Sequence, residues 1–301
     1  MTAPARKPRA VSFDSAGDRI AATLFGYASE RVPAVVLCTG FSGTQDTPSI
    51  VAAAEAFVAE GWIVMTFDYR GFGRSEGEPR QVVSVRAQLE DIHSAVGYLR
   101  SRGDIDPDRV ALWGSSLGGG HVITIAAADP RIAAVVAQVP FNGFPKQSQR
   151  EGQTMKGAYA LLWAAIRDRL RGWTGRPPLY LKAVGSEGER AVMVSPDANR
   201  AIEVLGSDTW RNQVAPRGLL DMMFYRPGKY AHQIDAPVLV CVGEYDREAN
   251  GGKAAALAHD APRGELRTYP FTHFEFYRPE NRVLVLADQV EFLRRALSNP
   301  S

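Results

Sequence analysis

Apolar positions along the chain follow two periodicities. Residues 33–38, 62–67, 132–139 and 236–242 are nearly continuous apolar runs, the pattern of strands covered on both faces of a parallel sheet. Shorter runs at 110–113 and 265–269 add further strands. Between them, segments 50–60, 80–100, 121–128 and 252–259 read as helices. In the last segment, 281–297, Val283, Leu286, Val290, Leu293 and Leu297 recur at helical spacing. Near the N-terminus, 10–13 and 20–25 flank Asp14-Ser15-Ala16-Gly17-Asp18, a hairpin signature at the edge of the main sheet.

Strand and helix alternate through this part of the chain. That succession predicts right-handed βαβ units and an α/β fold, a mostly parallel sheet with helices on both faces. After Pro140 the rhythm breaks. Residues 141–234 carry helical patterns, clearest over 154–171 and interrupted at Pro177-Pro178 and Pro196-Asp197. We read them as a helical cap inserted into a core made of 1–140 and 235–301. Trp163, Trp210, Met222 and Tyr225 of this insertion are the expected pocket residues, although such side chains also serve as core.

Composition narrows the functional classes. Hydrophobic residues make up 45% and charged residues 23% of 301 residues, with a net charge of +2. The one basic cluster, Arg6 to Arg9, is short, so neither a nucleic-acid nor a membrane partner is expected. No apolar signal region or spanning segment is present, and a cytoplasmic location is the expectation. Cys38 and Cys241 fall inside strand runs, as reduced buried thiols do. No His or Cys spacing suits a metal, and neither metal nor cofactor is expected.

The candidate chemistry centres on Gly114-Ser115-Ser116-Leu117-Gly118, a G-x-S-x-G pattern between a strand and a helix. Glycines two places either side of the serine let the chain reverse sharply, and the turn aims a helix N-terminus at a developing oxyanion. A serine hydroxyl needs a base, and the base an orienting acid. Of five histidines, only His273 lies in a loop after the last strand; His93, His121 and His259 fall in predicted helices, and His232 in the last segment of the cap. Asp246 occupies the tip of the turn after the 236–242 strand, whereas Glu244 comes earlier and Asp260 lies past a helix. Ser116, Asp246 and His273 thus share one rim of the sheet. The amides of Leu117 and Phe41 are the expected oxyanion donors, with Gly40 allowing close approach.

Thr39-Gly40-Phe41, the stretch from Phe67 to Ser75, Gly114 to Gly118, Gly243 to Asp246, and His273 together resemble an α/β-hydrolase over residues 32–298. The resemblance implies Ser116, Asp246 and His273 as a triad and Phe41 and Leu117 as its oxyanion hole. Thr39-Gly40 stands where the family usually has His-Gly. Within the superfamily the chain is most similar to the branch of dienelactone-hydrolase-like, X-prolyl-peptidase-like and thiohydrolase or polyketide-transferase enzymes, supported by Trp210-Arg211-Asn212 and Phe224 to Gly228. The implied activity is serine hydrolysis of a small-molecule carboxylic ester or thioester. Acyl transfer to an alcohol or amine and ligand binding without turnover are the alternatives; peptidase activity would call for an accessory domain that is not evident. A homo-oligomer stays open.

Overall fold

The computed structural model describes residues 7–144, 154–194, 198–249 and 251–298. Arg6 and the Pro196-Asp197 break lie outside the described residues. The continuous apolar run predicted near residue 33 is strand β3 (Val32–Cys38). Its side chains alternate between two apolar layers, as the period of a strand requires. Val35 and Leu37 belong to the apolar layer that holds α1 (Pro48–Val58) and α8 (Pro279–Leu297); Val36 and Cys38 belong to the layer that holds α2 (Val85–Arg100), α3 (Leu117–Ala128) and α7 (Gly251–Asp260).

The other strands of the main sheet are β1 (Arg9–Ser15), β2 (Asp18–Phe25), β4 (Ile63–Phe67), β5 (Ile105–Ser115), β6 (Ile132–Gln138), β9 (Val238–Gly243) and β10 (Gly264–Tyr269). Their order is β1-β2-β4-β3-β5-β6-β9-β10. The β1–β2 hairpin joins antiparallel to β4, and every pairing from β4 to β10 is parallel. The carboxyl ends of the parallel strands therefore form one rim. Burial pushes the Cys38 thiol far up and the Cys241 thiol up to about 12.

Three sequence expectations change at this level. Helix α2 begins at Val85 rather than residue 80, because Gln81 has φ 58° and the Ser84 hydroxyl accepts from the Ala87 amide at 3.3 Å. Helix α3 begins at Leu117, several residues before the Ile- and Ala-rich run that announced it. The connection from β6 to β9 is not wholly helical. It holds α4 (Met155–Trp173), α5 (Ala198–Leu205), α6 (Gly218–Phe224) and a 3-10 turn, Pro227–Gln233. Between α4 and α5 runs a parallel pair, β7 (Lys182–Gly185) with β8 (Ala191–Val194). Asn212 completes that ladder from the side, its amide accepting from the Val184 N–H and donating to the Val184 carbonyl, both at 2.9 Å.

Asp168 holds this connection together. Its fully buried carboxylate accepts from Arg217 Nε at 2.8 Å, Arg217 Nη2 at 2.9 Å and the amides of Arg217 and Leu179 at 3.1 and 2.7 Å. One side chain thereby joins α4, the start of α6 and the chain entering β7. Asp168→Ala leaves a largely buried guanidinium and two amides without their acceptor, and the expected cost is about 3–5 kcal/mol, read as a lower denaturant midpoint. A midpoint unchanged from the parent would contradict this role.

Candidate active site

Strand β5 ends at Ser115, and the next residue reverses the chain. Ser116 has φ 54° and ψ −117°, a region that non-glycine residues rarely occupy. Surrounding bonds fix it there: its amide donates to the Gln138 carbonyl at 2.9 Å, and its carbonyl accepts from Phe141 at 2.8 Å. The reversal is possible only without side chains beside it. A Cβ on Gly114 would lie 2.3 Å from the Gly118 carbonyl oxygen, and one on Gly118 would lie 2.3 Å from the Cys38 carbonyl oxygen.

His273 reaches the serine from beyond β10, and Asp246 from beyond β9. His273 Nε2 lies 3.1 Å from Ser116 Oγ, and its Nδ1 lies 2.8 Å from Asp246 Oδ2. The structure brings these three residues into one hydrogen-bonded chain, although Asp246 and His273 are far from Ser116 in sequence. The other Asp246 oxygen accepts from the amides of Glu248 and Ala249, both at 2.9 Å. The carboxylate is thus oriented by backbone before it meets the imidazole. Burial of His273 opposes its charging, but the Asp246 carboxylate, the hydrogen bond to it and the nearby Glu248 outweigh that effect and hold its pKa above the ordinary 6.5.

The competing groups lie elsewhere. His93, His232, His259, Glu244 and Asp260 are exposed. His121 is buried 5 residues after Ser116, between the Gln88 side-chain oxygen at 2.9 Å and the Tyr225 hydroxyl at 3.0 Å. Burial drives its pKa down to about 3, so it is a neutral packing residue.

Phe41 and Leu117 both line the cavity at Ser116. Leu117 opens α3, where the first amides have no acceptor within the helix. The loop carrying Phe41 is pressed onto the serine: a Cβ on Gly40 would lie 3.1 Å from Ser116 Cβ. Gln45 holds that loop to the core, its amide and side-chain nitrogen each donating to the Asp68 carboxylate at 2.8 Å.

Ser116 and His273 sit in the wall of a cavity of about 720 Å³. Most of its lining is apolar, including Phe141, Phe144, Leu162, Met193 and Met222. Of the expected pocket residues only Met222 is in this wall. Trp163 turns outward on α4 and is 68% exposed. Tyr225 instead spends its hydroxyl on His121, Thr124 and the Gly120 carbonyl, and Trp210 packs outside the cavity. Aromatic content alone could not tell these settings apart.

A buried polar chain that no sequence motif announces lies beneath the site. Trp113 Nε1 donates to Gln289 at 2.8 Å, Gln289 donates to Gln138 at 3.0 Å, and Gln138 donates to Ser115 Oγ at 3.1 Å. Ser115 Oγ lies 2.9 Å from the Tyr277 hydroxyl, and the Tyr277 ring meets that of His273 edge-on. The Ser116 turn and the His273 loop are therefore tied beneath the site. Glutamines at the end of the apolar β6 run and on the inner face of α8 were the available signal.

Among the described residues, no group of His, Cys, Asp and Glu side chains could hold a metal ion. The arrangement can polarise one serine hydroxyl, accept its proton, and present backbone amides to a neighbouring oxygen.

Comparison with known proteins places the fold in a family. The family described as serine aminopeptidase S33 matches residues 29–274. The chain is 39% identical to the quorum-quenching protein AidA of Acinetobacter baumannii over 96% of this chain and 95% of that protein. It is 29% identical to the polyketide transferase ATR5 of Stachybotrys chlorohalonatus, over 89% and 90% of the two chains. The crystal structure of the α/β-hydrolase GrgF from Penicillium superposes with a TM-score of 0.82 at 24% identity, covering 97% of this chain and all of that one. The chain belongs to the serine aminopeptidase S33 family of α/β-hydrolases.

Proposed function

We propose that this protein hydrolyses a carboxylic ester or thioester carrying an apolar group, through an acyl-enzyme on Ser116. The observation that carries the reading is the Ser116–His273–Asp246 hydrogen-bonded chain in the wall of a largely apolar cavity. His273 Nε2 takes the hydroxyl proton as Ser116 Oγ attacks the carbonyl carbon. The amides of Phe41 and Leu117 receive the oxyanion. His273 returns the proton to the leaving alcohol or thiol, then activates water to release the acid. Asp246 keeps the Nδ1 proton in place and stabilises the imidazolium. We assign the segment 141–234 as a cap, since α4, β8 and α6 all contribute to the cavity wall.

Acyl transfer is the second reading. The relative from Stachybotrys is named a polyketide transferase, and an apolar wall around the acyl-serine would favour an organic acceptor over water. Both readings share every step up to the acyl-enzyme. They separate when an alcohol or amine competes with water for it.

A panel of p-nitrophenyl esters of increasing acyl length, run beside acyl thioesters, tests the proposal. Hydrolysis is expected, with kcat/KM rising as the chain grows to fill the apolar wall. Ser116→Ala is expected to lose about 10⁴-fold or more. Retention of near-parental activity in that variant would refute the assignment.

The acid limb of the kcat/KM profile reports His273, which must be neutral to act as base. Because its pKa is raised, activity is expected to fall as pH drops through a value above 6.5. Glu248→Gln removes one charge that favours the imidazolium, so the limb should move to lower pH. An unmoved or raised limb would contradict the electrostatic account.

A further inference from the structure

The solvent face of α4 has an unusual composition. Met155, Tyr159, Trp163, Leu170 and Trp173 recur along one side of this helix at spacings of 3, 4 and 7 residues, and all are exposed. Trp163 is 68% and Trp173 76% exposed. Helix α6 lies beside it, joined by Arg169 donating to Asp221 at 2.7 Å, and adds Phe224 at 82% and Met223. Scattered exposed apolar residues need no explanation, but a row of large ones along a single helix face does.

The charge of α4 is equally one-sided. Helix α4 carries Lys156, Arg167, Arg169 and Arg171 and a single carboxylate, Asp168, which is buried and paired with Arg217. Lys156 and Arg167 share the exposed face with the aromatic residues, and Arg176 is exposed just beyond the helix. The face also reaches the mouth of the cavity, since Met155, Tyr159 and Met223 are both exposed and part of the cavity lining.

We propose that this face docks on an anionic phospholipid surface, with the aromatic side chains entering the headgroup boundary and the basic ones meeting the phosphates. Among the described residues no helix is long and apolar enough to cross a membrane, so the contact is adsorption. A net charge of only +2 concealed this face, and the proposal replaces the expectation of no membrane partner. A second copy is a poorer occupant, because a symmetric contact would set Lys156 and Arg167 against their own counterparts without a free carboxylate on the helix to meet them. Docking would bring the cavity mouth to a source of apolar substrate, yet it does not require turnover by Ser116.

Flotation with vesicles tests the proposal, using phosphatidylcholine alone and phosphatidylcholine with phosphatidylglycerol, at low and high salt. Ser116→Ala protein runs in parallel so that binding is read apart from catalysis. Both proteins are expected to float with the anionic vesicles, with blue-shifted tryptophan emission, and to release as salt rises. The triple variant Trp163→Ser, Trp173→Ser, Phe224→Ser is expected to lose partitioning by about tenfold or more while keeping its thermal midpoint. Lys156→Glu with Arg167→Glu should weaken binding to the anionic vesicles alone, which keeps the test open should the triple variant fold poorly. Absence of parental binding to the anionic vesicles at low salt would overturn the proposal. So would undiminished binding by the folded triple variant and the charge-reversed variant, or a parental dimer that the triple variant dissociates without any vesicle binding.

Discussion

The site depends on a backbone reversal that the rest of the fold leaves room for and then locks. Ser116 sits at φ 54° between a strand and a helix, with carbonyl oxygens pressed into the spaces where side chains of Gly114 and Gly118 would stand. Such a conformation costs on the order of 1–3 kcal/mol and persists only when its surroundings over-determine it. Here those surroundings are specific: Gln138 accepts from the serine amide, and Phe141 donates to its carbonyl. The strained turn sets Ser116 and Leu117 together in the wall of the cavity.

The partners converge because parallel strands end on one rim. Asp246 leaves β9 and His273 leaves β10, so a hydroxyl, an imidazole and a carboxylate meet although 157 residues separate Ser116 from His273. Convergence still requires that the loops hold still. Backbone amides of Glu248 and Ala249 orient the carboxylate. Below the serine, the chain from Trp113 through Gln289, Gln138 and Ser115 to Tyr277 joins β5, α8, β6 and the histidine loop. The polar groups are buried together and satisfy one another, which makes that floor rigid rather than merely apolar.

Much of this was legible from residue order. Runs such as Val35-Val36-Leu37-Cys38 announce buried strands because both faces are apolar, and once strands are placed their ends predict the rim. That logic selects His273 over four other histidines and Asp246 over Glu244. It fails where tertiary contact decides. Strands β7 and β8 span 4 residues each, too few for a period to emerge, and Asn212 supports them from a distance. Trp163 and Met222 look alike as apolar residues of one segment, but only Met222 turns inward. The polar floor was hidden for a related reason. A glutamine inside an apolar run signals a partner without saying where that partner is.

The central claim is that Ser116 is made nucleophilic by His273 within this rim. Covalent labelling with a fluorophosphonate, followed by intact mass and peptide mapping, reads that claim without knowledge of the substrate. The account predicts one adduct, located on Ser116, formed far more slowly in His273→Ala. An unlabelled protein, an adduct on another residue, or labelling indifferent to the loss of His273 would contradict it.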